Sequence, residues 1–270
     1  MLDDDKLFAG SIPENYDRYM VPLIFAAYAT DLSQRAAQLS PKTVLEIAAG
    51  TGVVTRALGS KLSADASFMV TDLNQPMLDY ATSQQPHDAR IKWRQADALA
   101  LPFEDGSFDL VVCQFGAMFF PDRVAGYREA RRVLRPGGHF LFNVWDRIEE
   151  NVFANNVTNA LAEVFPKDPP RFLARTPHGY HDTALIRTEL DSAGFSHVAI
   201  DTKADESRAS SPRIVAVAYC QGTPLRKEIE TRDATKLGAA TDHAESVIAK
   251  SHGSGEVAAK IQAHVILATV

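Results

Sequence analysis

From Thr43 onward the chain alternates short apolar runs with longer stretches in which apolar residues return every three or four positions. That is the pattern of a parallel sheet covered by helices. TVLEIA, SFMVTDL, IKWRQ, FDLVVC and GGHFLFNVW read as five strands. FDLVVC is continuously apolar after its aspartate, which predicts a strand buried on both faces. Helix signals lie between the runs: Pro76 at a first-turn position, and VAGYREARRVL with Val124, Tyr127, Arg131 and Leu134 along one face. Arg135-Pro136-Gly137-Gly138 is expected to stop that helix and turn into the fifth strand. Regularity then lapses over 147–180, which reads as an insertion containing Pro166, Pro169, Pro170 and Pro177. Asp182 predicts the N-cap of a helix running to Ala193, Gly194 ends it, and FSHVAIDTK follows as a sixth strand. Ser211-Pro212 and Thr223-Pro224 predict several short helices across 205–258, and IQAHVILATV closes the chain as a seventh strand.

With 270 residues, 46% apolar and 23% charged, the chain has the composition of an ordinary globular protein. A single domain over 1–270 is expected, with 1–40 as an N-terminal helical cover and 41–146 as the regular core. The net charge of −6 leaves no global positive field for a phosphate backbone, so nucleic acid is not an expected partner. Cys113 and Cys220 have neither metal spacing nor the look of a disulfide framework, which suits a reducing cytoplasm. MLDDDKLF is acidic where a secretory signal is basic, and the longest apolar run, Met20 to Ala29, is half the ~20 residues a membrane span needs. His87, His197, His243, His252 and His264 show no metal-ligand spacing, and no metal is expected.

The stretch VLEIAAGTGVVT, Val44 to Thr55, sets Gly50 and Gly52 between the first strand and the first helix. Such a turn lets backbone approach a ligand closely and points N–H groups at an anion, either phosphate or carboxylate. A dinucleotide site calls for G-x-G-x-x-G; Thr55 stands at the third position, while Asp72 ends the second strand at the expected distance. The plain alternative is a tight turn with no ligand and an aspartate that caps the next helix. Asp97 weighs against it. It ends the third strand and is followed by Ala98 and a turn built on Pro102 and Asp105-Gly106. A carboxylate there can accept from an exocyclic amine while the Ala98 N–H meets a ring nitrogen, which recognises adenine, and Asp72 is placed to accept from a ribose diol.

With these positions in hand, the sequence resembles the class I S-adenosylmethionine-dependent methyltransferases, in the small-molecule branch that includes the ubiquinone and menaquinone C-methyltransferases. The resemblance runs from Val44 to Asp146, through VLEIAAGTG, VTDLNQPML, QADALALPFEDGSFDLVVCQFG and RVLRPGG. It implies an α/β, Rossmann-like fold: a seven-stranded, mostly parallel sheet of order 3-2-1-4-5-7-6, last strand antiparallel, with helices on both faces and a helical cover. It implies S-adenosylmethionine as cofactor and S-adenosylhomocysteine as product. The family pattern puts Gly50 and Gly52, with Ala48 and Thr51 in the same loop, under the methionine moiety. It puts Asp72 on the ribose, Leu73 and Met77 near the adenine, Asp97 and Ala98 on the adenine edge, and Gln114 and Phe115 over the cofactor. Tyr19, on the helical cover, is a further candidate to reach the cofactor carboxylate. Ala48 departs from the pattern, which has glycine there, and implies a slightly altered loop. Cys113-Gln114-Phe115-Gly116 stands where amino-group methyltransferases carry D/N-P-P-Y, a second argument against nucleic acid.

Methyl transfer from a sulfonium requires alignment of acceptor, methyl and sulfur, and a positioned base where the acceptor must lose a proton. The insertions 147–180 and 205–258 are expected to form the acceptor pocket. His178, Tyr180 and His181, clustered in RTPHGYHD, are the candidate catalytic residues, since imidazole titrates near neutrality. His181-Asp182 reads equally well as the polar start of a helix. The expected activity is methyl transfer to an oxygen or carbon of a small or medium apolar acceptor by a monomer or homodimer. Two other readings are an NAD(P)-dependent oxidoreductase, weakened by Thr55 and the adenine motif around Asp97, and a non-catalytic binding protein of the cofactor fold. Intact Gly50, Gly52, Asp72 and Asp97 argue against the latter.

Overall fold

The first five strands form a parallel sheet, with helices returning the chain after the first, second and fourth and a helix-free connection between the third and fourth. The structure, a computed structural model, describes residues 12–270; the acidic stretch MLDDDKLF lies outside the described residues. In chain order the strands are β1 (Thr43–Glu46), β2 (Ser67–Asp72), β3 (Ile91–Gln95), β4 (Phe108–Gln114), β5 (Leu134–Trp145), β6 (His197–Ala209) and β7 (Val257–Thr269). They pair in the order β3-β2-β1-β4-β5-β7-β6. The ladders from β3 to β5 are all parallel. β7 runs antiparallel to β5: Val270 N–H donates to Gly138 O at one end and Asp146 N–H to Gln262 O at the other.

The helices are α1 (Ile12–Asn15), α2 (Ala26–Gln38), α3 (Val53–Gly59), α4 (Gln75–Gln84), α5 (Arg123–Val133), α6 (Val152–Val164), α7 (Phe172–Arg175), α8 (Thr183–Ala193), α9 (Pro212–Gln221), α10 (Leu225–Asp233) and α11 (Leu237–His252). The chain divides into two compact units. A sheet unit holds Ala27–Val144, His181–Lys203 and Ala263–Val270; a helical unit holds the described residues through Ala26, Trp145–Tyr180 and Ala204–Gln262.

In the sheet unit, one face carries Val44, Phe68, Val70, Leu110, Val112, Leu141 and Val265, packed under Ala29, Leu32 and Ala36 of α2 and Val54 and Leu58 of α3. The opposite face is aromatic, with Tyr127 of α5 against Phe140 and Phe142 and Phe195 stacked on Phe140. Tyr28 belongs to the core: its side chain is fully buried and its hydroxyl donates to Lys203 O at 3.0 Å.

The helical unit departs from the sequence expectation over 147–180, and also over 205–258, where β6 runs on to Ala209 and α11 is a 16-residue helix rather than a short one. The stretch 147–180 is not irregular throughout, because α6 occupies Val152–Val164 with Phe153, Val157, Ala160 and Leu161 buried. Its asparagine-rich outer face hides that period in the sequence. Tyr16–Phe25 is π-helical, with the Ala26 N–H bonded five residues back to Val21 O. Pro22, inside it, has no N–H to offer an α-helical ladder. Tyr16 stacks on Phe25 with ring centroids 4.9 Å apart.

Elsewhere the capping expectations agree with the fold. Asp182 accepts from Ala184 N and Leu185 N at the start of α8, and Gly194 ends it at φ +93°. Pro76 stands in the first turn of α4. The expected inner face of α5 is shifted, however: Gly126, Tyr127, Ala130 and Val133 are buried, whereas Arg131 is exposed and bonds Gly194 O. The fifth strand also begins at Leu134, directly after that helix, with no intervening turn.

Candidate active site

Successive strand residues face opposite sides of a sheet, so the partners of the core face can be counted outward along each strand. Beyond Val70, Trp93, Val112 and Leu141 come Asp72, Gln95, Gln114 and Asn143 on that same face. Asp72 is level with Gln95, and Gln114 with Asn143. Glu46 sits one step lower in the centre, level with Val70 and Val112. The carboxyl-terminal edge of the parallel sheet, the ligand side of such sheets, is therefore lined by a polar row over an apolar layer.

The loop after β1 is fastened into this row. Gly50 N–H donates to Asp72 Oδ2 at 2.8 Å, and Asn74 N–H donates to Oδ1 at 2.8 Å. Ala49 N–H bonds Thr71 O, and Gly52 N–H closes a turn on Ala49 O. Gly50 and Gly52 take φ of +57° and +80°, where a side chain costs energy. A Cβ at Gly50 would stand 3.6 Å from Met77 Cε, so the glycine keeps a narrow space open beneath the Met77 thioether. Ala48 is also left-handed, at φ +53°, which gives its departure from the family glycine a physical meaning. The added methyl strains the backbone rather than merely narrowing the loop, by about 1–2 kcal/mol.

Asp72 is 6% exposed, and burial raises its carboxyl above the ordinary range despite the N–H groups of Asn74, Gly50 and Leu73 that donate to it. Glu46, unnoticed at the sequence level, is wholly buried. Desolvation pushes it up to about 8, partly opposed by the Thr55 hydroxyl, which donates to it at 2.7 Å. Arg56 anchors the following helix turn by donating to Thr51 O at 2.6 Å. The Thr51 hydroxyl itself is buried and has no hydrogen-bond partner among the described residues.

The remaining sheet-unit candidates flank this loop. Leu73 is 44% exposed, unusual for a large apolar side chain, with its carbonyl held by Gln95 Nε2 at 2.9 Å. Met77 is buried. Asp97 is exposed and spends one oxygen on the Leu99 N–H, while Ala98 is half-buried. Gln114 is half-buried; Phe115 is buried in the left-handed region at φ +51°, its ring edge-on to Tyr28 at 5.4 Å. The Phe115 N–H is taken by Asn143, at 2.9 Å by the side-chain oxygen and at 3.2 Å by the backbone oxygen. A Cβ on Gly116 would lie 2.5 Å from Ala48 Cβ and 2.7 Å from Cys113 Sγ, so the two strained turns touch through a glycine. His181, half-buried, immediately precedes the α8 cap.

The helical unit holds Tyr19, His178 and Tyr180. Tyr19 is half-buried on the π-helical stretch beneath the Arg18 guanidinium. His178 and Tyr180 are buried. His178 Nδ1 is 2.9 Å from Asp146 O, and its ring lies 6.0 Å from that of Trp145. A carbonyl only accepts, so Nδ1 carries a proton. Asp146 is fixed in turn by Gln262 Nε2 at 2.6 Å.

Sequence reasoning passed over Glu46 and Asn143. Each is the lone polar residue of an apolar run, in VLEIA and FLFNVW, and that contrast is the available signal.

The residues present suit an adenosyl amino acid. Thr51 offers a buried, unpartnered hydroxyl, Gly50 a cradle that a Cβ would fill, and Leu73 an exposed apolar surface. A model of the methyltransferase domain family matches residues 45–142. The demethylmenaquinone methyltransferase of Lactococcus lactis is 28% identical over 201 residues, covering 69% of this chain and 79% of that protein. The ubiquinone/menaquinone biosynthesis C-methyltransferase of Dinoroseobacter shibae is 31% identical over 183 residues, covering 62% and 70%. The demethylmenaquinone methyltransferase of Lactiplantibacillus plantarum is 36% identical over 138 residues, covering 48% of this chain and 58% of that protein. Among solved structures, the YcgJ protein of Bacillus subtilis shares the fold at a TM-score of 0.57 and 19% identity, covering 90% of this chain and 98% of that one.

Proposed function

The chain belongs to the class I S-adenosylmethionine-dependent methyltransferases, small-molecule branch, and from that premise we propose that its acceptor is a reduced quinone or a similar phenolic ring, methylated at carbon or oxygen. The names of its relatives support that acceptor class. The observation that carries the cofactor reading is the Gly50–Asp72 bond beside the unpartnered Thr51 hydroxyl.

When bound, the sulfonium supplies both the methyl group and its leaving group. Thr51 and the loop around Ala48, Gly50 and Gly52 would hold the amino-acid end, and Asp72 the ribose. Leu73 and Met77 would flank the base, Asp97 and Ala98 would read its edge, and Gln114 and Phe115 would close the site. Tyr19 is a further candidate for the cofactor carboxylate. His178 is the proposed proton acceptor, its ring oriented by the Asp146 carbonyl; Tyr180 and His181 are its nearest alternatives in sequence. The insertions 147–180 and 205–258 are the proposed source of acceptor recognition. Among the described residues no helix is long and apolar enough to cross a membrane. Both cysteines are free and buried, which suits the reducing cytoplasm we propose as its location.

The test is calorimetric titration with S-adenosylhomocysteine and with NADH, then methyl transfer from labelled cofactor to 1,4-naphthohydroquinone under reducing conditions. Binding of the homocysteine product and labelled naphthol derivatives are expected. Affinity for NADH alone would end the cofactor reading, and failure to label the naphthohydroquinone would end the acceptor reading. Replacing His178 with Ala is expected to lower kcat by roughly 100-fold or more with S-adenosylhomocysteine affinity unchanged; an unaltered kcat would remove it as the base.

A further inference from the structure

The most conspicuous unspent group in the sheet unit is the side-chain amide of Asn143. The residue is fully buried on β5, on the same face and at the same level as Gln114 of β4. Its Nδ2 has no hydrogen-bond partner among the described residues. The orientation of the carboxamide is not arbitrary. The Phe115 N–H can only donate, so the atom facing it at 2.9 Å must be the oxygen, and the unpartnered group must be the NH2. Leaving such a donor buried and unmet costs about 1–3 kcal/mol, a cost that a ligand accepting its hydrogen bond would remove.

Strand order indicates which ligand. The residues suited to the base and ribose stand at the ends of β3 and β2, and the glycine loop follows β1. The sheet continues from β1 through β4 to β5. An adenosyl amino acid laid across β3, β2 and β1 has its far end toward β4, and Asn143 lies one strand beyond.

We propose that Asn143 binds the methyl acceptor: its Nδ2 donates to an oxygen of the acceptor, while its Oδ1 holds Phe115 in the left-handed conformation that shapes the same wall. This rests on the methyl-transfer reading above. The acceptor chemistry it selects is a ring or chain bearing an oxygen next to the methylated atom, such as a phenol, a quinol or an enol, rather than a bare hydrocarbon or an amine.

Replacing Asn143 with Leu separates this role from a structural one. The Phe115 N–H keeps the backbone oxygen of residue 143 at 3.2 Å, and an unmet buried donor is removed. The expected result is a melting temperature equal to or above that of the unaltered chain, S-adenosylhomocysteine affinity within twofold, and a KM for 1,4-naphthohydroquinone raised roughly tenfold or more. Should the leucine variant not fold, the smaller Asn143→Ala carries the same comparison of KM with cofactor affinity. An unchanged KM, or cofactor affinity that falls as far as acceptor affinity, would overturn the assignment. If the unaltered chain binds S-adenosylhomocysteine but does not methylate this probe, the quinol reading fails and a crystal structure of that complex decides Asn143. An Nδ2 bonded to the cofactor or to a protein group overturns the proposal, and an Nδ2 bordering open space beyond the sulfur supports it. A chain that binds no S-adenosylhomocysteine overturns both.

Discussion

The Gly50 amide donates to the Asp72 carboxylate at 2.8 Å, so the loop following the first strand is fastened to the end of the second. One buried side chain thereby holds the anion-facing backbone in place and is itself a candidate for the cofactor's hydroxyls. The same carboxylate takes the Asn74 N–H, which fixes the start of the helix that carries Met77. Asp72→Ala would leave both N–H groups without this acceptor. Loss of about 1–3 kcal/mol of stability is expected, together with a fall in S-adenosylhomocysteine affinity of roughly 10- to 100-fold. Calorimetry and thermal melting read the two effects separately; retained cofactor affinity would contradict the assignment.

Glu46 makes stability depend on pH in a direction opposite to that of most carboxylates. Burial raises its folded-state pKa to about 8 from an ordinary 4.5, so the folded chain binds more protons than the unfolded one between those values. Stability contributed by this group is therefore full at low pH and declines as pH rises through that window. Glu46→Gln keeps an acceptor for the Thr55 hydroxyl and removes the titration. Melting temperatures measured from pH 5 to pH 9 should fall more steeply for the unaltered chain than for the variant, and parallel curves would contradict the assigned burial effect.

Ala48 and Gly116 should be energetically coupled. Gly116→Ala forces a Cβ to within 2.5 Å of Ala48 and 2.7 Å of Cys113 Sγ, and a loss of about 1–3 kcal/mol is expected from overpacking. Ala48→Gly removes one of those clashes and relieves the strained φ of +53°. In the double variant the loss should be smaller than in Gly116→Ala alone, measured by urea denaturation as a double-mutant cycle. Simple additivity would mean that the loop moves away without cost.

Leu73 should contribute to ligand binding and little to folding. Because it is already 44% exposed, Leu73→Ser should leave the melting temperature nearly unchanged. Removing an apolar surface from the base site is expected to weaken S-adenosylhomocysteine by roughly fivefold, about 1 kcal/mol. Equal affinity for both chains would place the adenine elsewhere.

How far each feature was legible in the sequence depends on the range of the force behind it. Binary alternation, turn residues and caps are local, so the five parallel strands, the Asp182 and Gly194 boundaries of α8 and the Gly50–Gly52 turn could be read directly from neighbouring residues. The order of strands could not be derived from those local signals and came through family resemblance. Helix α6 escaped because asparagines on its outer face obscured the apolar period.

Residue types and their places along the strands were written in the chain, and with them the class of ligand the loop could cradle. What each polar group meets was decided only by folding. Asp72 faces Gly50 across 22 positions of sequence, and Asn143 faces Phe115 across 28, because parallel strands bring their ends together at one edge. Burial then set the carboxyls of Glu46 and Asp72 above their ordinary range, and the same burial left the Thr51 hydroxyl and the Asn143 Nδ2 without hydrogen-bond partners among the described residues. Desolvation and orphaned donors arise from the packed arrangement of several distant segments, so no stretch of sequence contains them.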